Sequence, residues 1–158
     1  MYVEISGRQT GKTTRLVDHA SDELLDNIDD RNYVMAVVSH SHQSGERINQ
    51  LIVQKTLDKI SDMGYDDSLI LRENLNRKII VQRDMEQPLG RHINKFYVDE
   101  FSFINDQNQR RGSPLYINND AYYCTTPKPG DEFTIYLKNY CEHNNIEIVA
   151  YDISQGLR

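Results

Sequence analysis

The stretch from Ser6 to Thr13 constrains the fold more than any other part of this sequence. It reads SGRQTGKT, with two glycines and a closing Lys-Thr pair. Glycines allow backbone N–H groups to turn inward around a polyphosphate, the lysine reaches the terminal phosphates, and the threonine hydroxyl ligates Mg²⁺. A helix that starts here directs its positive dipole end at the same anion. We therefore predict a loop that binds the phosphates of a nucleotide.

The residues on both sides of this loop supply the structural context that the motif requires. Tyr2 to Ile5 is typical of a short strand, and apolar side chains recur at helical spacing from Lys12 to about Ile28. The apolar side chains at this spacing are Leu16, Val17, Ala20, Leu24 and Ile28. Ser6 stands where the motif usually has Gly or Ala, and Gly7 after it supplies the flexibility. This context favours a phosphate-binding loop over a ligand-free glycine turn.

Composition narrows the class of protein. With 158 residues, of which 38% are hydrophobic, we expect a single domain, residues 1–158, with a sizeable core. A net charge of -6 argues against a chain that grips nucleic acid unaided through a broad basic surface. Cys124 and Cys141 match no metal-ligand spacing, so we expect reduced thiols and a cytoplasmic location, the host cytoplasm if the protein is viral. The sequence has no apolar run of membrane length and no basic, apolar leader.

Strands and helices are predicted to alternate. Tyr33 to Val38 is typical of a buried parallel strand, and a helix is expected from about Gln43 to Ile60. Its inner face is expected to comprise Ile48, Leu51, Ile52 and Leu57. This alternation predicts an α/β fold with a mostly parallel sheet flanked by helices. His40 and His42 lack a third ligand nearby, so we predict solvated side chains rather than a metal site.

The pattern is less regular in the middle of the chain. Ser68 to Leu71 and Lys78 to Val81 resemble two short strands, which we expect to form a hairpin across residues 72–77. Towards the end of the chain, Asp131 to Glu142 is predicted to be a helix and Ile146 to Tyr151 a closing strand.

A second chemical motif lies at the end of an apolar strand. Phe96 to Val98 lead directly into Asp99 and Glu100. An acid at the carboxyl end of a buried strand holds the hydration shell of magnesium, and a neighbouring glutamate polarises an attacking water. Two solvated acids after a strand are common, but a phosphate-binding loop in the same chain gives the catalytic interpretation more weight.

A third motif ends another predicted strand, which starts at Ala121 and stops at Thr125, Thr126 and Pro127. If this strand neighbours the first, its hydroxyls lie beside the phosphate loop and sense the terminal phosphate or the attacking water. Threonine favours strands in general, so a purely structural role has about even weight. Residues that sense the terminal phosphate must lie next to the phosphate loop. We therefore expect both the acidic strand and the threonine strand beside the first strand.

In this order, the three motifs resemble those of the ATPase domain of the large terminase subunit, the DNA-packaging motor of tailed phages. Arg8 to Thr14 is similar to the family's arginine-bearing phosphate loop. Phe96 to Ile104 resembles its acidic strand, and Thr125 to Pro127, followed by Gly130, resembles its coupling motif. The resemblance spans most of the chain, from Val3 to about Tyr151.

The resemblance implies a three-layer P-loop NTPase core that hydrolyses ATP with Mg²⁺, using Walker A and Walker B motifs. It implies Glu100 as the catalytic carboxylate, Arg8 as a transition-state stabiliser, and Thr13 and Asp99 on magnesium. An arginine suits its role because it meets two phosphate oxygens at once. The coupling residues it implies are Thr125 and Thr126. The nucleotide-binding residues it implies are Gly7, Arg8, Gln9, Thr10, Gly11, Lys12, Thr13 and Thr14.

Two departures from the family limit this expectation. A terminase segment before the first strand, which helps to hold adenine, and a C-terminal nuclease domain have no counterpart between Met1 and Arg158. We therefore expect the ATPase core alone, acting in DNA packaging or another DNA-associated process. Contact with DNA is expected through a homo-oligomer or a partner protein, without a membrane.

Two other functions stay open. A nucleoside or nucleotide kinase has a similar length and closes an arginine-bearing lid over its substrates. Arg110 and Arg111, predicted in a loop before Gly112, are candidates for such a lid, for an arginine finger in trans, or for a solvated pair. The third function is a module that binds nucleotide tightly, hydrolyses it slowly and acts as a conformational switch.

Overall fold

The computed structural model describes residues 1–65 and 69–152, which form a sheet and its covering helices. The strands are β1 (Tyr2–Ile5), β2 (Met35–Val38), β3 (Ile79–Gln82), β4 (Lys95–Asp99), β5 (Ala121–Thr125) and β6 (Ile148–Val149). The helices are α1 (Lys12–Asp26), α2 (His42–Asp62), α3 (Leu69–Arg77), α4 (Phe101–Arg111) and α5 (Glu132–His143).

The six strands form one parallel sheet in the order β3-β2-β4-β5-β1-β6. Helices α1, α2 and α3 cover one face, where Leu16 and Ile52 belong to the same core as Tyr97. Helices α4 and α5 cover the other face, where Phe101 and Phe133 pack near Tyr123. The predicted three-layer α/β fold with a parallel sheet flanked by helices is therefore confirmed.

The carboxyl ends of all strands lie at one edge of the sheet, because the strands are parallel. This edge carries the loop after β1, the acids at the end of β4 and the threonines at the end of β5. β5 lies between β4 and β1, so that Cys124 is in register with Asp99 on one side and with Glu4 on the other. The expected position beside β1 is thus correct for the threonine strand and wrong for the acidic strand, which is one strand further away.

Each helix packs on the sheet through one apolar face. α1 buries Leu16, Val17, Ala20 and Leu24, as its periodicity predicts, but it ends at Asp26, so that Ile28 follows the helix and is only partly buried. Side-chain oxygens cap two helix starts: Ser41 accepts from the Ser44 N–H at 3.1 Å, and Asp131 accepts from the Thr134 N–H at 3.0 Å. Within residues 1–65 and 69–152, no helix combines the length and the apolar character needed to cross a bilayer.

The predicted hairpin is wrong. Leu69 to Arg77 form a helix, and β3 pairs in parallel with β2, whereas a hairpin would be antiparallel. Ser68, where the first of the two predicted strands starts, lies outside the described residues. The periodicity of a short apolar run does not distinguish a strand from a helix, and here the fully buried Leu75 packs in the α1–α2 core.

Three smaller predictions also need correction. Leu51 is 43% exposed, and Val53 and Ile60 lie on the buried face of α2 in its place. Arg110 and Arg111 belong to the last turn of α4, not to a loop, because the helix continues until Gly112 ends it in a left-handed conformation. The closing strand is shorter than expected and comprises only β6.

Candidate functional site

Internal hydrogen bonds shape the loop between β1 and α1. Thr10 Oγ1 donates to the Gly7 carbonyl at 2.8 Å, and Lys12 Nζ donates to the same oxygen at 2.6 Å. Gly11 has a φ of 81° and Gln9 a φ of 57°, both in the left-handed region that turns the chain sharply. The loop therefore curls over the start of α1, whose first N–H groups have no partner within the helix.

Ser6 anchors the start of this loop. Its N–H donates to the Thr125 carbonyl at 3.1 Å, which extends the pairing of β1 with β5 by one residue. Its Oγ accepts a hydrogen bond from the Tyr151 N–H at 2.9 Å. The serine that departs from the usual motif thus connects the loop to the segment after β6. Glycine, which has no side chain, cannot make this contact.

A cavity of about 340 Å³ opens at the carboxyl edge of the sheet. Its lining consists of Arg8, Gln9, Thr10, Gly11, Lys12, Thr13, Thr14, Glu100, Phe103 and Thr126. All residues predicted to bind nucleotide are in this lining except Gly7, as are the predicted catalytic residues Arg8 and Glu100. Asp99 and Thr125 are buried and lie outside the lining. Phe103 is the one lining residue whose role the sequence did not suggest.

Lys12 and Glu100 face each other in this cavity. The distance from Lys12 Nζ to Glu100 Oε1 is 3.7 Å, and the side chains are 7% and 24% exposed. This distance marks a charge pair without a hydrogen bond. The lysine comes from the first turn of α1 and the glutamate from the junction of β4 and α4, so the fold alone brings them together.

Thr126 holds the Glu100 carboxylate at both oxygens. Its N–H donates to Oε2 at 3.0 Å and its Oγ1 donates to Oε1 at 3.0 Å. Glu100 has a φ of 53°, and a non-glycine residue in this region costs on the order of 1–3 kcal/mol. A strained backbone and two hydrogen bonds therefore fix the direction of this carboxylate.

Thr125 has different surroundings from its neighbour. Its side chain is fully buried, accepts a hydrogen bond from the Ser102 N–H at 3.3 Å, and donates to the Thr126 carbonyl at 3.2 Å. Thr125 thus links the end of β5 to the first turn of α4. Of the two threonines predicted for coupling, only Thr126 lines the cavity.

Asp99 is buried beside Cys124 on the neighbouring strand. The Cys124 thiol donates to Asp99 Oδ1 at 3.3 Å. Burial, reinforced by the charge of Glu100, raises the pKa of Asp99 to about 6. Burial also raises the pKa of Cys124 well above its ordinary value, so that it remains a thiol and a donor.

The donor set suits a magnesium ion bound together with phosphate. Thr13 lies in the first turn of α1, and Asp99 offers a carboxylate with only a weak thiol donor beside it. No cluster of three or more His, Cys, Asp or Glu side chains that could enclose a metal exists in residues 1–65 and 69–152. Magnesium at phosphate sites needs only one or two protein ligands, because phosphate oxygens and waters complete its shell. His42 instead lies 3.5 Å from Glu46, at the start of α2.

Replacing Asp99 by asparagine is expected to stabilise the magnesium-free protein at neutral pH. Because the pKa of Asp99 rises from 3.8 to about 6 on folding, the folded state binds this proton more tightly than the unfolded state does. The free energy of unfolding that this group contributes is therefore lost as the pH rises from about 4 to above about 6. The loss is at most about 3 kcal/mol, and asparagine avoids it while keeping an acceptor for Cys124.

Thermal unfolding without magnesium measures this effect. We expect the Asp99→Asn protein to unfold several degrees higher than the wild type at neutral pH, with a smaller difference near pH 4. Asp120→Asn is a matched control, because Asp120 is exposed. An unchanged or lower unfolding midpoint of Asp99→Asn at neutral pH would contradict the assignment.

The candidate arginines differ in position. Arg8 is exposed and lines the cavity. Arg110 and Arg111 are exposed on the last turn of α4 and lie outside the lining, where their charges complement the negative end of the helix dipole. In this structure, these two arginines do not reach the cavity.

A buried ion pair connects β1 with α1, the two elements that flank the loop. Glu4 on β1 is fully buried, and Arg15 Nε on α1 donates to its Oε2 at 3.1 Å. The Arg15 guanidinium also lies 3.8 Å from the centre of the Tyr151 ring. This pair joins the two elements on either side of the loop. The sign of this ion pair in the sequence was a glutamate within an otherwise apolar strand. The alternation of apolar and polar residues alone did not explain a charge at this position.

Comparison of the chain with models of known protein families gives no match, and a search of curated proteins gives none at a significant level.

Proposed function

We propose that this protein is a magnesium-dependent P-loop ATPase that resembles the motor core of the large terminase subunit. The observation that carries the proposal is the convergence of Lys12 and Glu100, whose charged groups lie 3.7 Å apart in one cavity. A lysine on a phosphate loop and a carboxylate able to activate water are the two halves of a hydrolytic site.

Each residue then has a defined task. Lys12 and the N–H groups of the loop bind the terminal phosphates, and Glu100 orients the attacking water and accepts its proton. Thr126 keeps the Glu100 carboxylate in position through two hydrogen bonds. Arg8 stabilises the charge that develops on the transferred phosphoryl group. Thr13 and Asp99 would hold magnesium, which neutralises phosphate charge when it is bound.

The resemblance to terminase also suggests where the hydrolysis is used. We propose a role in DNA packaging or another DNA-associated process, in an oligomer or together with partner chains. In such an assembly, Arg8, which is exposed and lines the cavity, would act in its own site or in that of a neighbouring copy. Mg²⁺-dependent release of phosphate from ATP, measured with and without DNA, tests the proposal.

A slow nucleotide switch is the second candidate function. It is favoured by the contacts of the charged groups, because Lys12 already donates to the Gly7 carbonyl and Glu100 already has two donors from Thr126. If these contacts persist with nucleotide bound, Glu100 is not free to activate water. The nucleotide then stays bound and is hydrolysed slowly.

Replacing Thr126 by valine distinguishes the two functions. In a hydrolase, loss of the hydroxyl releases one oxygen of Glu100, and we expect hydrolysis to fall by about tenfold or more, since a hydrogen bond to a charged group contributes about 1.5–3 kcal/mol. Single-turnover hydrolysis measures this rate, and Thr126→Ser, which keeps the hydroxyl, should restore most of it. Faster hydrolysis by Thr126→Val would instead favour a switch in which Thr126 restrains Glu100.

A further inference from the structure

A second cavity, of about 610 Å³, lies at the opposite edge of the sheet from the candidate nucleotide site. Its lining comes from residues 28–33, which precede β2, residues 74–78, which precede β3, and Arg91, which precedes β4. Because the sheet is parallel, these segments meet at the amino ends of the strands. The two cavities share no lining residue.

This cavity is strongly basic in a protein of net charge -6. Its lining includes the cations Arg31, Arg77, Lys78 and Arg91, against the single acid Asp29. None of these cations forms an ion pair with a carboxylate of residues 1–65 and 69–152. Several cations elsewhere do form such pairs: Lys12, Arg15, Lys59, Lys95 and Lys128.

Backbone contacts hold two of the cations in place without neutralising them. Lys78 is 8% exposed and donates to the Asp30 carbonyl. Arg91 Nη2 donates to the Arg77 carbonyl at 2.6 Å, which also caps the end of α3. An arginine has five N–H donors and a lysine three, so both side chains keep donors for a ligand. Four cations beside a single acid create a positive potential that an anion relieves.

The four cations come from segments that precede three neighbouring strands, β3, β2 and β4. They converge on one cavity, where the Arg91 guanidinium reaches the Arg77 carbonyl and Lys78 reaches the carbonyl of Asp30, the residue before Arg31. A nucleic-acid strand is a polyanion with one charge per roughly 3.4 Å of duplex axis, so a single strand can bring more than one phosphate to this cluster. Asn74 adds an amide to the same lining.

We propose that this cavity binds an extended chain of phosphate groups, the backbone of a nucleic-acid strand. The cations contact its phosphate groups, and the Asn74 amide adds a neutral donor. Binding of this kind places the strand at the edge of the sheet opposite the ATP cavity and does not depend on whether the protein hydrolyses ATP.

The test compares two double variants of equal charge. Arg31→Ala with Arg77→Ala removes two exposed cations of the cavity, and Lys55→Ala with Lys138→Ala removes two exposed cations on α2 and α5. Fluorescence anisotropy of a labelled oligothymidylate measures the dissociation constant at several salt concentrations. We expect the cavity variant to bind about tenfold more weakly or worse, with a salt slope shallower by about 1.4, because each phosphate contact contributes about 0.7.

Inorganic tripolyphosphate distinguishes two possible sources of the bound phosphate groups, a nucleic-acid strand and a free polyphosphate. In a Lys12→Ala background, which weakens binding at the phosphate loop, calorimetry compares its binding before and after the two arginine substitutions. Binding of tripolyphosphate but not of the oligonucleotide through these arginines would contradict a nucleic-acid ligand and identify a free polyphosphate in its place. Equal weakening by both double variants, or no dependence of either probe on Arg31 and Arg77, would overturn the proposal.

Discussion

Replacing Glu100 by glutamine is expected to lower the rate of ATP hydrolysis by about 10²- to 10⁴-fold, the usual contribution of a general base. Glutamine has nearly the same shape and keeps one oxygen for Thr126, but it does not accept a proton from water. The substitution also removes the charge that lies 3.7 Å from Lys12. Nucleotide affinity should therefore stay the same or rise, because Lys12 no longer faces a carboxylate that competes with phosphate.

Single-turnover hydrolysis and binding of a fluorescent ATP analogue, measured on the same preparations, separate these two effects. Glu142→Gln is a matched control, since Glu142 is exposed on α5 and lies outside the lining of the cavity. Unchanged hydrolysis by Glu100→Gln would remove the glutamate from the catalytic role. Equal loss of binding and hydrolysis would show that Glu100 supports the loop and not the chemistry.

Replacing Arg8 by alanine is expected to reduce hydrolysis by about 10³- to 10⁵-fold if it acts as the arginine finger of the site. The physical reason is that a guanidinium meets two phosphoryl oxygens at once, and these contacts strengthen as charge develops in the transition state. Ground-state binding depends mainly on Lys12 and the N–H groups of the loop, so we expect the affinity for Mg·ATP to change by only about tenfold or less.

Two further variants sharpen this prediction. Arg8→Lys keeps the charge but not the planar pair of donors, so it should recover little activity. Arg83→Ala is the control, because Arg83 is exposed and does not line the cavity. Mixing Arg8→Ala with Lys12→Ala tests action in trans, since each variant would supply what the other lacks at a shared interface. Equal loss of binding and hydrolysis in Arg8→Ala would contradict a catalytic arginine.

The strand-end motifs were predictable because each depends on local sequence. The apolar run before Asp99 and the run before Thr125 both form buried strands, and the parallel sheet brings their carboxyl ends to one edge. The order of the strands was not predictable in the same way. Side-chain pattern does not state which strands are neighbours, and the expectation that the acidic strand lies beside β1 was wrong for this reason.

The contacts within the site depend on side-chain directions that sequence does not encode locally. The two hydrogen bonds from Thr126 to Glu100 require a left-handed backbone conformation at Glu100. Nothing in the residue type of Glu100 indicates this conformation. The contact of Cys124 with Asp99 depends on the register of β4 with β5. The segment that became α3 was misinterpreted because burial of Leu75, a tertiary effect, decides its structure.

Steady-state release of phosphate from ATP by the wild-type protein tests the central claim most directly. The measurement is made with Mg²⁺, with a chelator in its place, and with Lys12→Ala, which removes the cation that faces Glu100. We predict continuous release that requires Mg²⁺ and is lost in Lys12→Ala. Failure of the wild-type protein to release phosphate in the presence of Mg²⁺, or equal release by Lys12→Ala, would contradict the ATPase proposal.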